Sequence, residues 1–451
     1  MGTSTPYPTQ RSGQLRGNVN DAYTYAQLSA LAAAGDLTPN SWYVAADSEV
    51  RYWASDASTL QVDVSASPRV SNRFALRKSL SRLARSYSAQ STVGVLGHSV
   101  VSGAYSNDAV SSVDATWNDT GWVAVLRKMF ATQYGTASLR GLLHPAENLS
   151  TNFTLAGGAA FNGPNNTVGV EGYRIDLAAA GNTVSVSGTG RYLRVWGFST
   201  AAGVAARYTI DGGSLTTSGT VSAGASPNGQ FWYTFDIDCT TDAAHTVVLQ
   251  GAASGSWYLF ACAFLAQTAS GVLVHRMGRS GAVLPNLLAE SLDGTDTAGP
   301  AWRTLLTANG KLQQAHSLTS QLGINLMMVM VDANDLTGGW TTYGYTLADV
   351  RRHAQNAVTS LVARGCDVLF VTGLWRDPAA YGIGAPFDHS QVIQQYASVA
   401  ADNDYCAHLD LTSVWADYAA VNAAGLMQDT VHPNSLGHAW MADAVFRALT
   451  A

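Results

Sequence analysis

The stretch TVGVLGHSVVSG, residues 92–103, joins a short apolar run to a serine, Ser99. The first six residues have the length of a strand and are mostly apolar. This predicts a strand buried on both faces, as in a parallel sheet. Runs of the same kind recur at residues 271–276, 324–331, 366–374 and 407–411, and helical patterns separate the later ones. The alternation predicts an α/β fold with a doubly wound sheet.

The alternation is interrupted between residues 142 and 268, where no helical pattern occurs. Short segments of alternating apolar and polar residues are separated there by turns rich in Gly, Asn, Asp and Ser. This pattern is typical of an all-β sandwich. We therefore predict a discontinuous α/β domain, residues 65–141 and 269–451, with the sandwich of residues 142–268 inserted between its first two strands.

Residues 1–64 are predicted to form a separate small α+β unit. The sequence indicates a helix at residues 25–33, which ends before a Gly and a Pro, and two strands at residues 42–45 and 50–54. A unit of this size buries little apolar surface by itself. We expect it to attach to a partner chain or to a larger assembly.

The composition restricts the classes of function. Charged residues are 12% of the 451 residues, about half the usual share of about 25%, and the formal net charge is −6. No basic face is indicated, which argues against a nucleic-acid partner. No apolar run reaches the ~18–20 residues that span a bilayer, and the polar N-terminus lacks the pattern of a signal peptide. The four cysteines show neither metal-ligand nor redox spacing, so we predict buried thiols, with a Cys239–Cys262 disulfide as the alternative.

Polar residues follow the buried strands at the edge of the sheet where α/β proteins place their chemistry. Ser99 follows the first strand, Gly281 the second and Asn334 the third, and Asp429 and His432 precede the last predicted helix. Neutral His432 can take the proton of the Ser99 hydroxyl, and Asp429 can orient the imidazole. The backbone N–H groups of Ser99 and Gly281 and the side-chain amide of Asn334 are suited to stabilise an oxyanion.

These blocks resemble those of the SGNH hydrolase superfamily, also called GDSL esterases. Ser99 in GHS, Gly281 in GRSGA, Asn334 in DAND and the Asp–His pair in DTVH match the four blocks of that family in order. The resemblance covers roughly residues 73–135 and 272–451. It implies a flavodoxin-like three-layer domain and a serine esterase that forms an acyl-enzyme on Ser99. It implies no metal and no organic cofactor.

Two positions depart from the family pattern. His98 stands before the nucleophile, where the family has Asp, and Asp332 stands where the third block has Gly. The first change leaves the reacting groups in place. The second changes the backbone freedom next to Asn334. Neither removes a proton-transfer group or an oxyanion donor.

The segment LAAAGDLTPNSWYVAADSEVRYWASDAST, residues 31–59, resembles segments near the N-termini of bacteriophage tail-fibre and tailspike proteins. The resemblance implies a homotrimer on the virion, with other tail proteins as partners, acting at the host cell surface. A virion protein is released by lysis and needs no signal peptide. Residues 142–268 are similar to jelly-roll and carbohydrate-binding modules.

Together these resemblances predict an esterase that removes O-acetyl groups from a bacterial surface polysaccharide during phage adsorption. Two alternatives remain at this point. The first is a catalytically weak glycan-binding protein that recognises a receptor. The second is a lipase or thioesterase that acts on longer acyl chains, although the small polar residues of the predicted loops suit a short acyl group better.

Several residues near the predicted site have alternative roles. Trp375 and Arg376 follow the fourth strand and are candidates either for substrate contact or for anchoring a turn. Gly278 is the alternative to Gly281 as an oxyanion donor. Asp388 and His389 offer a second Asp–His pair, but Asp388 precedes a predicted helix, where Asp is expected as the N-cap.

Overall fold

The structure is a computed structural model of the chain. It describes residues 25–36, 41–44, 51–54, 60–62, 68–107, 120–135, 137–138, 140–141, 143, 153–162, 174–199, 204–220, 231–253, 255–267, 270–278, 283–284, 322–380 and 384–450.

The described strands are, in chain order, β1 (Ser41–Val44), β2 (Arg51–Ala54), β3 (Leu60–Val62), β4 (Arg69–Ser71), β5 (Ser91–Gly97), β6 (Phe153–Ala156), β7 (Ala160–Asn162), β8 (Arg174–Leu177), β9 (Thr183–Thr189), β10 (Tyr192–Ser199), β11 (Ala205–Ile210), β12 (Thr216–Thr220), β13 (Phe231–Asp238), β14 (Ala244–Gln250), β15 (Trp257–Leu265), β16 (Val272–Gly278), β17 (Leu326–Met330), β18 (Asp367–Thr372) and β19 (Cys406–Asp410). The α-helices are α1 (Tyr25–Ala34), α2 (Arg77–Ala84), α3 (Ser99–Ser102), α4 (Trp122–Tyr134), α5 (Asp332–Tyr343), α6 (Leu347–Val362), α7 (His389–Ala401), α8 (Tyr418–Ala423) and α9 (Ser435–Thr450). Short 3-10 helices cover Arg73–Leu76 and Leu411–Val414.

The central sheet has six strands in the order β16-β5-β17-β18-β19-β4. Five of them are parallel, and in chain order they lie as 2-1-3-4-5, which is the order of flavodoxin-like sheets. The predicted α/β class is confirmed. From β5 the chain continues to β16 on one side of it, and from β16 it returns to β17 on the other side. The strand order therefore reverses at β5, and the crevice at the carboxyl end of β5 is the expected position of a site.

The antiparallel edge strand β4 was not predicted from the sequence. It pairs with β19 over three residues only. Three residues contain too little alternation to indicate a strand, so its position is determined by the tertiary structure. Its neighbour Asn72 fixes the adjoining turn, because the side-chain amide donates hydrogen bonds to the carbonyls of Ala400, Asn403 and Cys406.

Two helices on the sheet begin with signals that the sequence contains. The side chains of Thr346 and Asp349 form a capping box at the start of α6, and those of Asp388 and Gln391 form another at the start of α7. Each box satisfies backbone N–H groups that the first turn of a helix leaves without partners. The role of Asp388 as an N-cap is therefore confirmed.

The strands between residues 153 and 265 form two five-stranded sheets, β13-β10-β15-β8-β7 and β12-β11-β14-β9-β6. All their recorded pairings are antiparallel. Apolar residues of both sheets share one core, for example Val186 and Leu249 from one and Leu193 and Leu259 from the other. Alternating side chains on one face of each sheet account for this packing.

Strand β15 is apolar on both faces because its second face packs on the α/β domain. Leu259 and Phe264 belong to the core between the two five-stranded sheets, whereas Phe260 and Ala261 belong to the core of the central sheet. A β-bulge against β10 at Trp196 lets two successive residues, Phe260 and Ala261, lie on the same side. The pair of five-stranded sheets therefore meets the α/β domain through a continuous apolar contact along β15.

The N-terminal residues that the structure describes form α1 and a three-stranded sheet, β1-β2-β3. The predicted helix and two strands lie there, and β3 adds a strand that the sequence did not indicate. All four cysteines are buried and free, which confirms the predicted thiols. No helix in the described ranges is long and apolar enough to cross a membrane.

Candidate active site

Ser99 lies where β5 meets α3, at the carboxyl end of the sheet. Strand β5 ends at Gly97, where an added Cβ would stand 2.3 Å from a side-chain carbon of Val101 and 2.4 Å from the carbonyl oxygen of Met330. Only glycine lets the strand turn so closely against its neighbours. Ser99 then begins α3 and is 7% exposed.

The structure brings Ser99, His432 and Asp429 together, as the sequence predicts. The Oγ of Ser99 lies 3.0 Å from Nε2 of His432, and Nδ1 of His432 lies 3.0 Å from Oδ2 of Asp429. The carboxylate can only accept, so Nδ1 carries the proton in the neutral ring. Nε2 is then the acceptor for the Ser99 hydroxyl, which is the tautomer that a general base requires.

Asp429 is held by its own loop. Its Oδ1 accepts the backbone N–H groups of Val431 and His432, each at 2.6 Å, which leaves Oδ2 for the imidazole. Partial burial opposes ionisation of the carboxyl, but the hydrogen bonds from His432 and Val431 outweigh it and keep the pKa of Asp429 below its usual range. Asp429 is therefore ionised at neutral pH.

The pKa of His432 is lowered, first by burial. The hydrogen bond that Nδ1 donates to Asp429 raises the pKa of His432, and the nearby cation of Arg376 lowers it. The net result favours the neutral imidazole, which is the form that can accept a proton.

Of the three predicted oxyanion residues, the structure describes Ser99 and Asn334, whereas Gly281 lies outside the described residues. Asn334 is 9% exposed in the first turn of α5. That turn follows β17, which pairs with β5, and Met330 is opposite Gly97 in the register. Ser99 and Asn334 therefore follow neighbouring strand ends at the same edge. Gly278 ends β16, where an added Cβ would stand 2.4 Å from the backbone nitrogen of Ser102, so close packing on α3 accounts for this glycine.

Asp335 was not singled out in the sequence. Its carboxyl accepts the N–H of Leu284 at 2.8 Å and the hydroxyl of Tyr396 at 2.6 Å. The residue is 1% exposed, and burial raises the pKa of Asp335 to about 7 against the two hydrogen bonds. It connects the helix that carries Asn334 to the segment after β16. The hydrogen-bond partners of Asp335 are distant from it in the chain. In the sequence its one signal is its place as the last residue of the DAND block.

The two departures from the family pattern lie in one buried polar group. The imidazole of His98 lies between the N–H of Val100, 3.2 Å from Nδ1, and Nη2 of Arg376, 3.3 Å from Nε2. Both neighbours are donors. The neutral ring accepts the N–H of Val100 at Nδ1, and its Nε2 is in close contact with the guanidinium of Arg376. Burial, and then the Arg376 cation, hold the pKa of His98 well below its usual range.

Asp332, the second departure, is completely buried and accepts a hydrogen bond from Nε2 of His389 at 2.6 Å. It also accepts the N–H of Gly373. Burial opposes ionisation, but the contact with His389 and the nearby charges lower the pKa of Asp332 to about 2. Its carboxylate balances the buried Arg376 cation. His389 thus has a partner other than its sequence neighbour Asp388.

Trp375 and Arg376 have roles in holding loops together. The indole N–H of Trp375 donates to the backbone carbonyls of Thr412 and Trp415, at 3.2 and 2.9 Å. Arg376 is 6% exposed beside His98. These contacts are those of turn anchors, and contact of either residue with substrate stays a prediction.

Tyr105 is a second residue that the sequence did not indicate. Its ring centroid lies 5.0 Å from that of His432, at an interplanar angle of 41°. Its backbone has a φ of 61°, which is uncommon for a bulky residue. Within the described residues, no group of three or more His, Cys, Asp or Glu side chains could hold a metal ion.

No protein-family model and no curated protein sequence matches the chain. The chain is similar in structure to a protein described as a peptidoglycan O-acetylesterase in action, with 15% identity and a TM-score of 0.57 over 86% of this chain and 96% of that one. It also matches two carbohydrate esterases of family two. One, from Corynascus thermopiles (Myceliophthora fergusii), shows 13% identity and a TM-score of 0.27 over 65% of this chain and 98% of that chain. The other, from Clostridium thermocellum in complex with cellohexaose, shows 12% identity and a TM-score of 0.28 over 68% and 97%. The first likeness shows a shared fold.

Proposed function

We propose that the chain is a serine esterase of the SGNH type that removes O-acetyl groups from a glycan polymer. The observation that supports it most strongly is the continuous hydrogen-bonded series Ser99–His432–Asp429, with both contacts at 3.0 Å. A hydroxyl, a neutral imidazole in the correct tautomer and an ionised carboxylate are the groups that acyl transfer to serine requires.

The proposed reaction has two halves. The Ser99 oxygen forms a bond to the ester carbonyl carbon while its proton passes to Nε2 of His432. The tetrahedral intermediate then loses the sugar oxygen, which takes the proton from His432, and acetyl-Ser99 remains. Water, activated by His432, releases acetate and restores Ser99. Asn334 and the N–H groups of Ser99 and Gly281 are proposed to stabilise the oxyanion in both halves.

The substrate class is part of the proposal. One structure that shares the fold is described as a peptidoglycan O-acetylesterase, and this favours an acetyl ester on a glycan polymer over a lipid ester. We further propose, on the resemblance of residues 31–59 to tail-fibre segments, a homotrimeric virion protein that deacetylates a bacterial surface polysaccharide. A solution mass of one or two chains would contradict the trimer.

We expect the purified full chain to release acetate from an O-acetylated bacterial polysaccharide. In a matched series of p-nitrophenyl esters, kcat/KM is expected to fall from acetate to butyrate to octanoate, because a short acyl group needs no long apolar groove. Acetate released from the polysaccharide and rates on the series would be measured together. Faster hydrolysis of octanoate than of acetate would favour the lipase or thioesterase alternative.

In the pH profile of kcat/KM, the midpoint of the acid limb is expected to lie below the usual histidine pKa of about 6.5. The reason is that the pKa of His432 is lowered and that His432 acts as a base only when it is neutral. Activity is lost as pH falls through that pKa. Arg376→Gln removes a cation that lowers the pKa, so the limb should move to higher pH. Arg376→Lys keeps the charge and serves as the control. Identical limbs in the wild type and Arg376→Gln would show that Arg376 does not act on His432.

One observation favours the glycan-binding alternative. A groove of about 470 Å³ lies between residues 138, 140, 141 and 143 and the strands β9 and β14. Its lining includes the polar side chains of Ser138, Ser187, Thr189, Asp211, His245 and Thr246. Such a surface suits a ligand rich in hydroxyl groups. Polysaccharide binding by the intact chain without acetate release would support this alternative over the esterase.

A further inference from the structure

The turn that follows α3 holds Tyr105 in a strained conformation beside the catalytic imidazole. Tyr105 has a φ of 61°, in the left-handed region that bulky residues rarely adopt. Strain of this kind persists where surrounding contacts impose it, and it is concentrated at functional sites. The conformation therefore indicates a functional role for the Tyr105 side chain.

The neighbouring contacts fix the turn from both sides of Tyr105. Nε2 of the buried His438 donates to the carbonyl of Ala104 at 2.9 Å. The hydroxyls of Ser106 and Thr120 lie 2.7 Å apart. These bonds come from α9 and from the start of the segment that leads to α4, so the turn is tied to two separate elements. The Tyr105 ring, half-buried, is thereby held against His432, with ring centroids 5.0 Å apart.

The chemistry of ester cleavage decides which part of the substrate lies there. His432 returns its proton to the leaving alcohol, so the alcohol oxygen must come within hydrogen-bond reach of Nε2. The carbonyl oxygen, by contrast, points to the oxyanion donors. The group attached to the alcohol oxygen therefore occupies the side of Ser99 where the imidazole is, and Tyr105 borders that side.

We propose that Tyr105 contacts the sugar ring that carries the ester and so selects glycan acetates over simple acetates. This inference rests on the proposed function. The C–H face of a pyranose is apolar, and a rigid aromatic ring can bury it at little cost in conformational entropy. A strained but fixed turn suits this role, because the ring is already in place before substrate binds.

The test compares two acetates that differ only in the alcohol: an O-acetylated oligosaccharide and vinyl acetate. The full-length variants are Tyr105→Asn, which removes the ring but tolerates the left-handed backbone, and Tyr105→Phe, which keeps the ring. The ratio of kcat/KM for the oligosaccharide to that for vinyl acetate is expected to fall about tenfold in Tyr105→Asn. It should stay within about twofold of wild type in Tyr105→Phe, because stacking does not need the hydroxyl. Tyr87→Asn, at an exposed tyrosine, controls for the substitution itself.

The outcomes separate this inference from the function on which it rests. An equal loss on both acetates in Tyr105→Asn would overturn the inference and make Tyr105 a support for His432 alone. An unchanged ratio without loss would also overturn it. Wild-type protein that cleaves vinyl acetate but no O-acetylated glycan would instead refute the proposed substrate class. Thermal unfolding of each variant shows whether the fold is retained.

Discussion

Replacing Ser99 with Ala is expected to lower kcat for acetate release by about 10⁴- to 10⁶-fold. Without the Oγ nucleophile no acyl-enzyme can form, and the residual rate comes from the oxyanion donors and from binding alone. The side chain is nearly buried and only one oxygen is removed, so the fold should be retained. Acetate release from the O-acetylated polysaccharide and from p-nitrophenyl acetate measures the loss.

Ser102→Ala provides the matched control for this loss. Ser102 is buried on the same short helix, three residues from Ser99, and takes no part in the proposed reaction. Its replacement should change kcat little. Acetate release that persists in Ser99→Ala at more than a few per cent of the wild-type rate would show that another group is the nucleophile. Loss in both variants would indicate damage to α3 rather than to the chemistry.

The sequence was sufficient to predict the central sheet and the series Ser99–His432–Asp429 because local patterns indicate both. Continuous apolar runs specify parallel strands, and the residue after each run lies at a known edge of the sheet. Ser99 follows from such a pattern. His432, 333 residues away, follows no apolar run, and its meeting with Ser99 was predicted from its spacing to Asp429 and from the resemblance of DTVH to the Asp–His block of SGNH hydrolases. The fold shared with the O-acetylesterase agrees with the predicted α/β class.

The parts that could not be predicted depend on contacts between distant residues. The three residues of β4 become a strand only because β19 is beside them. Asp332 meets His389 across 57 residues and Asp335 meets Leu284 across 51, with no periodic signal to connect either pair. The pairing of His98 with Arg376 likewise shows only in three dimensions. What appeared in the sequence as two isolated departures is therefore one buried polar group.

Asp429→Asn is expected to lower kcat by about 10⁴-fold, although the two side chains are nearly the same size. Oδ1 of Asp429 accepts two backbone N–H groups, from Val431 and His432. An Asn amide must keep its carbonyl oxygen there, so its NH₂ group faces Nδ1 of the imidazole. Nδ1 then becomes the acceptor and Nε2 carries the proton. His432 in that tautomer cannot accept a proton from Ser99.

Comparison with Asp429→Ala separates the two roles of the carboxylate. Asn retains the bonds to the loop and loses the correct tautomer, whereas Ala loses both. If orientation of the imidazole is the main role, Asn should be at least as damaging to kcat as Ala. If Asp429 acts mainly by fixing the loop, Asn should be much more active than Ala. Asp417→Asn, at the N-cap of α8, keeps its bond to the N–H of Ala420 and should leave kcat near the wild-type value. The ranking of Asn and Ala therefore shows which of the two roles makes Asp429 necessary.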